Sequence, residues 1–338
     1  MSIDSVSIGL PTYCCIALLE SCFFKCRTCY KWKSDINFRD PQEPSLEEWK
    51  NFISQLRKLV KKKFQINFAG GEPLARKETL ELIRHASGEG FDTLLATNAF
   101  LIDEEKARMI ADSGVSLVNI SLDSINESRH DYLRGVNGAY RGVMRAIDLL
   151  DKHAKDVKVG ISTVISSENL DELSDIVRWV VGNDKVDGIG FQAVTQPFST
   201  PEDPYWYKNE EYSHLWPKDI LQVDRAMDEL IEIKLSDISK LGNHVSQFYV
   251  YKAYFRNPNN FIKKQKCHID SQAINVTPFG EIRICFYMET AGNIKTDDIN
   301  DIWFSKKASE IRSKISECKR NCQPMVNCNF DPSEVYIY

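Results

Sequence analysis

The sequence predicts an α/β protein: six strands alternating with helices in a parallel sheet, then a small cysteine-rich α+β extension. Three observations carry that expectation. From Tyr13 to Val194, short apolar or alternating runs are separated by helix-period segments of ten or more residues, the pattern of successive βαβ units. After Val194 the pattern breaks into a proline-containing stretch, 195–217, with an aromatic cluster of Tyr205, Trp206, Tyr207, Tyr212 and Trp216. Five of the ten cysteines then fall between positions 267 and 328. The chain divides accordingly into a core over 1–194, an aromatic-rich connection with helices over 195–262, and an auxiliary domain over 263–338.

The first strand is the apolar run 13–19, in which Cys14 and Cys15 read as packing residues because cysteine is among the most buried residue types. Ser45 with Glu48 forms a capping box, and Leu46, Trp49, Ile53, Leu56 and Val60 recur at helical spacing behind it. Strand 64–68 alternates and ends in Gly70-Gly71-Glu72-Pro73, followed by a helix over 75–86. Strand 93–97, helix 103–113, strand 115–121 and a helical region to His153 come next, the last interrupted at Arg134-Gly135. Strand 157–164, helix 169–181 and strand 188–194 complete the series, and helices are expected over 221–241 and 245–255. The stretch 195–217 is too long for an idle connection and too aromatic for disorder, so it reads as a lid or substrate wall. In the tail, Gly280 marks a turn feeding a short strand that ends at Cys285.

At 338 residues with 43% hydrophobic and 27% charged side chains, the chain is long enough for a sizeable core. A net charge of −5 gives no footprint for nucleic acid. The basic run Arg57, Lys58 and Lys61–Lys63 closes a helix and reads as a solvated face. No run reaches the length of a membrane span, and the N-terminus lacks the charged and apolar regions of a secretion signal. Ten cysteines without an export signal favour metal ligation over disulfides, in a reducing cytoplasm. No phosphate-binding GxxxxGK[ST] segment is present, and the six histidines show no HExxH or triad-like grouping.

Chemistry concentrates at Cys22, Cys26 and Cys29, spaced C-x3-C-x2-C after the first strand. Three thiolates this close can hold three irons of a cubane cluster and leave the fourth open, whereas a closed zinc site needs one more nearby ligand. Taken alone, the triplet also fits a zinc knuckle. Gly70-Gly71-Glu72-Pro73 alone is a weak signal, since Gly-Gly often marks only a turn. It does, however, allow close backbone approach to a ligand, and Glu72 offers an acceptor for a cationic amine. Parallel α/β sheets bind ligands at the carboxyl ends of their strands. The cysteine loop, the Gly-Gly segment, Asn98, Asp123 and Gln192 all fall near such ends.

On these residues the chain resembles the radical S-adenosylmethionine (SAM) enzymes, over about residues 13–194. The resemblance implies a partial (β/α)6 TIM-like barrel. It also implies a [4Fe-4S] cluster bound by three cysteines and SAM, with the SAM amine and carboxylate chelating the open iron. Reductive cleavage of SAM would give a 5′-deoxyadenosyl radical that abstracts a substrate hydrogen. Gly70, Gly71, Glu72 and Pro73 match the segment that contacts the SAM amine. Ser121 and Asp123 match an S-x-D segment facing the ribose and methionine end, and Arg134 an arginine that approaches the SAM carboxylate. Asn98 matches the asparagine of a T-N-G segment, although Ala99 replaces the glycine. Thr163, Gln192 and Val194 match later SAM-facing positions. Thr28 stands where an aromatic residue commonly precedes the third cysteine, with Tyr30 expected to serve the adenine instead. For Asn98, Ser121, Asp123 and Arg134 the plainer alternative is strand-end hydrogen bonding.

The tail resembles the SPASM and twitch extensions, which carry auxiliary iron–sulfur clusters. Cys267-x12-Gly280-x4-Cys285 fits their opening signature and Cys318-x3-Cys322-x5-Cys328 a shortened second half. Five thiols imply one auxiliary [4Fe-4S] cluster, with Cys318, at x3 where the pattern has x2, the expected leftover. A structural zinc tail is the alternative. The implied activity is an oxidative modification of a small polar metabolite or a peptide, with the auxiliary cluster as electron acceptor or substrate ligand. The short segment before the first strand tilts the expectation towards a small molecule or a separately delivered peptide. A reducing partner such as flavodoxin or ferredoxin is implied. A non-catalytic iron–sulfur sensing protein is the remaining alternative, disfavoured by the intact triplet and Gly-Gly-Glu-Pro segment.

Overall fold

The computed structural model describes residues 9–33, 43–60, 63–236, 240–259 and 267–328. Six strands run parallel and pair in chain order: β1 (Tyr13–Ala17), β2 (Gln65–Ala69), β3 (Asp92–Thr97), β4 (Leu117–Ser121), β5 (Lys158–Ile165) and β6 (Gly188–Ala193). β6 and β1 stand five strands apart in the sheet order, so the barrel is open. Helices α1 (Leu46–Leu59), α2 (Thr79–Gly88), α3 (Glu104–Asp112), α4 (Glu127–Arg134), α5 (Ala139–His153) and α6 (Leu173–Val181) connect the strands.

Local chemistry places these boundaries. The Ser45–Glu48 capping box forms reciprocally at α1, with Ser45 N–H donating to Glu48 Oε2 at 2.7 Å and Glu48 N–H to Ser45 Oγ at 3.3 Å; such a cap contributes about 1 kcal/mol. α6 starts at Leu173 rather than near Asn169 because the Asn169 amide is spent across the chain. Its Nδ2 donates to Asp123 O at 2.7 Å and Val164 O at 2.9 Å, which fastens the β4 and β5 exits together.

Strand side chains alternate with period two. Cys14, Ile16, Ile66, Phe68, Leu95, Val118 and Ile120 are fully buried in the main core. The opposite face carries Tyr13, Cys15, Asn67, Ala69, Ala96, Asn119, Ser121, Ser162 and Gln192, all less completely buried. This lumen face is small and polar, and Asn67 Nδ2 donates to Tyr13 Oη across it at 2.8 Å. Cys14 is the packing residue expected, whereas Cys15 faces the lumen.

After β6 the chain forms α7 (Ile220–Leu235) and α8 (Val245–Arg256). α7 ends short of the expected 241; Leu241 instead bridges Ile189 alongside β6. Asn243 brackets Phe191 with bonds to its carbonyl and amide at 2.9 and 2.6 Å, which covers an edge that would otherwise offer unpaired groups.

The extension continues the barrel sheet. α9 (Ile269–Gln272) leads into β7 (Ala273–Val276), which pairs parallel with β1, and β8 (Glu281–Arg283) and β9 (Gly292–Asn293) add antiparallel strands to give nine in all. α10 (Ile299–Trp303) docks on α1 through Gln55, and α11 (Lys306–Glu317) precedes the last cysteines. Asn327 then pairs with both backbone groups of Ala193 at 2.8 and 3.0 Å, so the tail reaches β6 as well as β1. No helix among the described residues is long and apolar enough to cross a membrane.

Candidate active site

At the carboxyl ends of β1–β4 lies a cleft of about 190 Å³, open to solvent. Cys22, Cys26 and Cys29 line one wall, and Gly70, Gly71, Glu72, Asn98, Ser121 and Arg134 line the rest. The sequence therefore brings together nine of the expected site residues.

The two glycines are required by chain packing. Gly70 has φ +122°, and a β-carbon there would fall 2.7 Å from Leu19 O; one on Gly71 would fall 1.7 Å from Ser21 O. Gly71 N–H donates to Leu19 O at 2.8 Å. The close approach made by this segment is thus to the backbone entering the cysteine loop. Gly135 does the same from α4, where φ is +63° and a β-carbon would fall 2.3 Å from Lys25 O. Arg27 N–H donates to Leu133 O at 3.0 Å, and the Arg27 guanidinium covers the Tyr132 ring at 3.8 Å. The cysteine loop is clamped between the Gly-Gly segment and the end of α4.

Glu72 is 1% exposed, and burial raises its carboxyl above the ordinary value against the pull of its hydrogen bonds. It accepts from Leu74 N–H at 3.1 Å, Thr97 Oγ1 at 2.7 Å and Asn98 N–H at 2.8 Å. Of the roughly four lone-pair positions on a carboxylate, about one is left for a bound amine. Beside it, Ala99 adopts φ +63°, the left-handed conformation glycine takes freely. The strand exit keeps the turn shape even without the glycine.

Asp123 is a strut, not a free group. Its Oδ1 accepts from Val164 N–H at 2.9 Å and its Oδ2 pairs with Arg134 Nη2 at 2.9 Å. Arg134 also contacts the Cys26 thiol; burial pushes that thiol up to about 12 and the guanidinium pulls it down. Burial likewise holds Cys22 up at about 11 and raises Cys29.

Besides Asp123, five expected site residues lie outside the cleft wall. Tyr30 packs edge-on against Tyr212 at 5.5 Å and tilted against Trp32 at 5.6 Å, outside the cleft wall. Trp32 is the aromatic side chain that reaches the cleft, with Phe24 and Lys31. Thr163 falls on the helix-facing side of β5 and spends its hydroxyl on Leu122 O at 2.6 Å. Val194 is buried, its carbonyl met by Tyr254 Oη at 3.3 Å. Gln192 faces the lumen but lies outside the cleft wall. Pro73 is buried behind Glu72, opening the short helix Pro73–Ala75.

In the tail, Cys267, Cys285, Cys318 and Cys322 converge. Each of the other three thiols acts electrostatically on Cys322, and Cys285 and Cys318 on Cys267. Burial is the main cause of the upward shifts at Cys267, Cys285 and Cys322. Cys328 instead acts on Tyr13, Cys15 and Tyr251, so it stands towards the barrel lumen. Cys318 thus stands with Cys267, Cys285 and Cys322, whereas Cys328 ends the helical turn Pro324–Cys328 beside Asn327, which anchors on β6.

Residues 16–180 match the radical SAM superfamily model and residues 267–329 the SPASM iron–sulfur cluster-binding domain model. The chain belongs to the radical SAM superfamily. It is an enzyme of the SPASM-bearing kind, and its cofactors are SAM and [4Fe-4S] clusters. The PqqA peptide cyclase of Bradyrhizobium diazoefficiens is 24% identical over 333 residues, 96% of this chain and 80% of that protein. The Fe-coproporphyrin III synthase of Methanosarcina barkeri is 35% identical over 159 residues, 47% of this chain and 38% of that protein. The Streptococcus suis protein SuiB, in its structure bound to precursor peptide SuiA, superposes with a TM-score of 0.65 at 17% identity. That superposition covers 90% of this chain and 67% of SuiB.

The radical SAM cleft fits its cofactors on a direct structural test. Three buried donors that line it have no partner among the described residues: Trp32 Nε1, Asn98 Nδ2 and Arg134 Nε. Buried donors are normally paired, so this set is poised for acceptors on a ligand such as a carboxylate and a purine or ribose. Among the described residues no three His, Cys, Asp or Glu side chains are close enough to grip a single metal ion.

Proposed function

We propose that this chain is a radical SAM enzyme that oxidatively modifies a peptide. The observation that carries the peptide class is the alignment with a peptide cyclase along nearly the whole chain, extension included. SuiB, bound to its precursor peptide, supports the same fold for the same class.

In this proposal Cys22, Cys26 and Cys29 hold the first [4Fe-4S] cluster, and Cys267, Cys285, Cys318 and Cys322 the auxiliary one. SAM bound at the first cluster supplies, on one-electron reduction, a 5′-deoxyadenosyl radical. The chain's own part is binding, orientation and exclusion of water. Glu72 accepts from the SAM amine with its remaining lone pair and keeps the β2 and β3 exits in register. Arg134 Nε and Asn98 Nδ2 donate to the SAM carboxylate, with Asp123 fixing the guanidinium. Trp32 walls the adenine side in place of Tyr30. Held by Cys267, Cys285, Cys318 and Cys322, an auxiliary cluster would supply an electron acceptor or a ligand for the substrate. A flavodoxin or ferredoxin supplies the first electron.

The Fe-coproporphyrin III synthase favours a porphyrin substrate, but its likeness is confined to about half of this chain. The deciding experiment is anaerobic reconstitution followed by incubation with SAM, a strong reductant and a peptide encoded beside the gene. A peptide product lighter by two hydrogens, from protein with about eight irons per chain, supports the proposal. Deoxyadenosine without any change in peptide mass, together with a changed porphyrin, would transfer it to the second class.

A further inference from the structure

A second pocket, open to solvent, lies where the 195–217 connection faces the tail. Gln196, Glu202 and Asp203 line it from the connection, Arg320 and Asn321 from the tail, and Asn259 from beyond α8. Arg320 and Asn321 stand between Cys318 and Cys322, so one wall is the loop that carries two of the four convergent thiols. The opposite wall is tied to the other cluster loop. Phe198 bridges Cys29, and its carbonyl accepts from Tyr30 N–H at 3.0 Å.

The groups facing this pocket differ in what they have left to offer. Arg320 is paired with Glu202 at 2.7 Å and stacked over the Tyr287 ring at 4.0 Å, so its charge is already balanced. The Gln196 carboxamide is spent within its own loop, on Thr200 Oγ1 at 2.9 Å and Asp203 N–H at 3.2 Å. Asn321 is different. It is 9% exposed, its Oδ1 lies 3.3 Å from a Tyr254 hydroxyl shared with Val194 O, and its Nδ2 has no partner among the described residues. Two acids, Glu202 and Asp203, and two bases, Lys319 and Arg320, line the pocket, so its formal charge is balanced and a buried amide donor there is matched by a neutral acceptor. A main-chain carbonyl is such an acceptor.

We propose that this pocket binds a main-chain peptide unit of the substrate, with Asn321 Nδ2 donating to its carbonyl oxygen. The proposal rests on the peptide reading above and adds where the peptide is held: against the auxiliary-cluster loop, under the segment that also touches Cys29. Asn321 is then a specificity residue for extended backbone, independent of side-chain sequence.

The test uses reconstituted holoenzyme and saturation-transfer NMR with N-acetyl-triglycine N-methylamide as probe and acetate as competitor. Wild-type protein saturates the probe, and Asn321→Asp and Asn321→Ala lower its affinity at least tenfold. Iron content and the visible spectrum of the variants show that the clusters remain. Equal saturation by Asn321→Asp, no saturation by wild type, or displacement of the probe by acetate at lower concentration overturns the assignment. If the probe depends on Asn321 but no peptide is ever turned over, the substrate class is wrong. If a peptide is modified with the same KM by Asn321→Asp, the peptide class stands and this pocket assignment alone falls.

Discussion

Gly71 and Ser21 are in backbone contact so close that a single added β-carbon would sit 1.7 Å from the Ser21 carbonyl oxygen. The loop after β2 and the loop carrying the three cysteines are therefore one packed unit, and the position of Glu72 depends on that of Cys22. Gly71→Ala should force the loops apart, a clash in the class that costs about 1–3 kcal/mol or more. Iron content and SAM affinity should both fall, the latter at least tenfold by equilibrium dialysis. Gly88→Ala, at the end of α2 with nothing within 4 Å, should be neutral or stabilise by up to about 1 kcal/mol. Equal behaviour of the two variants would refute the packing account.

Arg134 has two duties that can be separated. Its Nη2 satisfies Asp123, which is 2% exposed, while its Nε lines the cleft without a partner among the described residues. Arg134→Leu strands a buried carboxylate, and breaking such a pair costs about 3–5 kcal/mol. Adding Asp123→Asn should recover part of that loss in urea titrations followed by circular dichroism. Arg134→Lys keeps the charge but loses the planar donor, so SAM affinity should drop about 10–100-fold, the equivalent of about 1.5–3 kcal/mol. An unchanged affinity in the lysine variant would remove Nε from the SAM site.

Much of this arrangement was legible in the residues, and the gaps have physical causes. Strand order, the cysteine loop and the Gly-Gly segment follow from local periodicity and spacing, whereas Asp123 and Arg134 come from the family resemblance. Thr163 was expected to face SAM, yet alternation sends it to the helix side, because a one-residue change of register reverses every side chain on a strand. Tyr30 and Trp32 are two residues apart in a loop with no such periodicity, and packing against Tyr212 decides between them. The β1–β7 pairing joins residues some 260 positions apart, beyond the reach of any local pattern. Spacing sets Cys318 apart as the odd thiol, and it cannot register Asn327 anchoring on Ala193, the contact beside Cys328 that the structure adds.

Cysteine replacements test the grouping of thiols directly. Cys318→Ala should lose the auxiliary cluster and leave about four irons per chain, whereas Cys328→Ser should keep about eight. Cys26→Ala should abolish SAM cleavage, and Cys285→Ala should spare cleavage but uncouple it from product. Iron and sulfide analysis beside a deoxyadenosine assay reads all four. Loss of the auxiliary cluster in Cys328→Ser with retention in Cys318→Ala would reverse the assignment.

His130 gives the fold a defined acid limit. It is 1% exposed, and its Nδ1 accepts from Asp123 N–H at 3.2 Å, an acceptor role that requires the neutral ring. Burial, with the Arg134 charge adding to it, pushes its imidazole down to about 3. An unfolded histidine titrates near 6.5, so between these values the unfolded state binds a proton that the folded state does not. Stability from this residue is therefore complete above about pH 6.5 and is lost as the pH falls towards 3, by about 1.4 kcal/mol per unit. Between pH 6.5 and 4.5 the loss amounts to about 2–3 kcal/mol. His130→Asn keeps a neutral acceptor near the same place and should flatten the stability–pH curve in that window by this amount. Denaturant titrations of both proteins at several pH values make the comparison, and parallel curves would show that His130 does not set the acid limit.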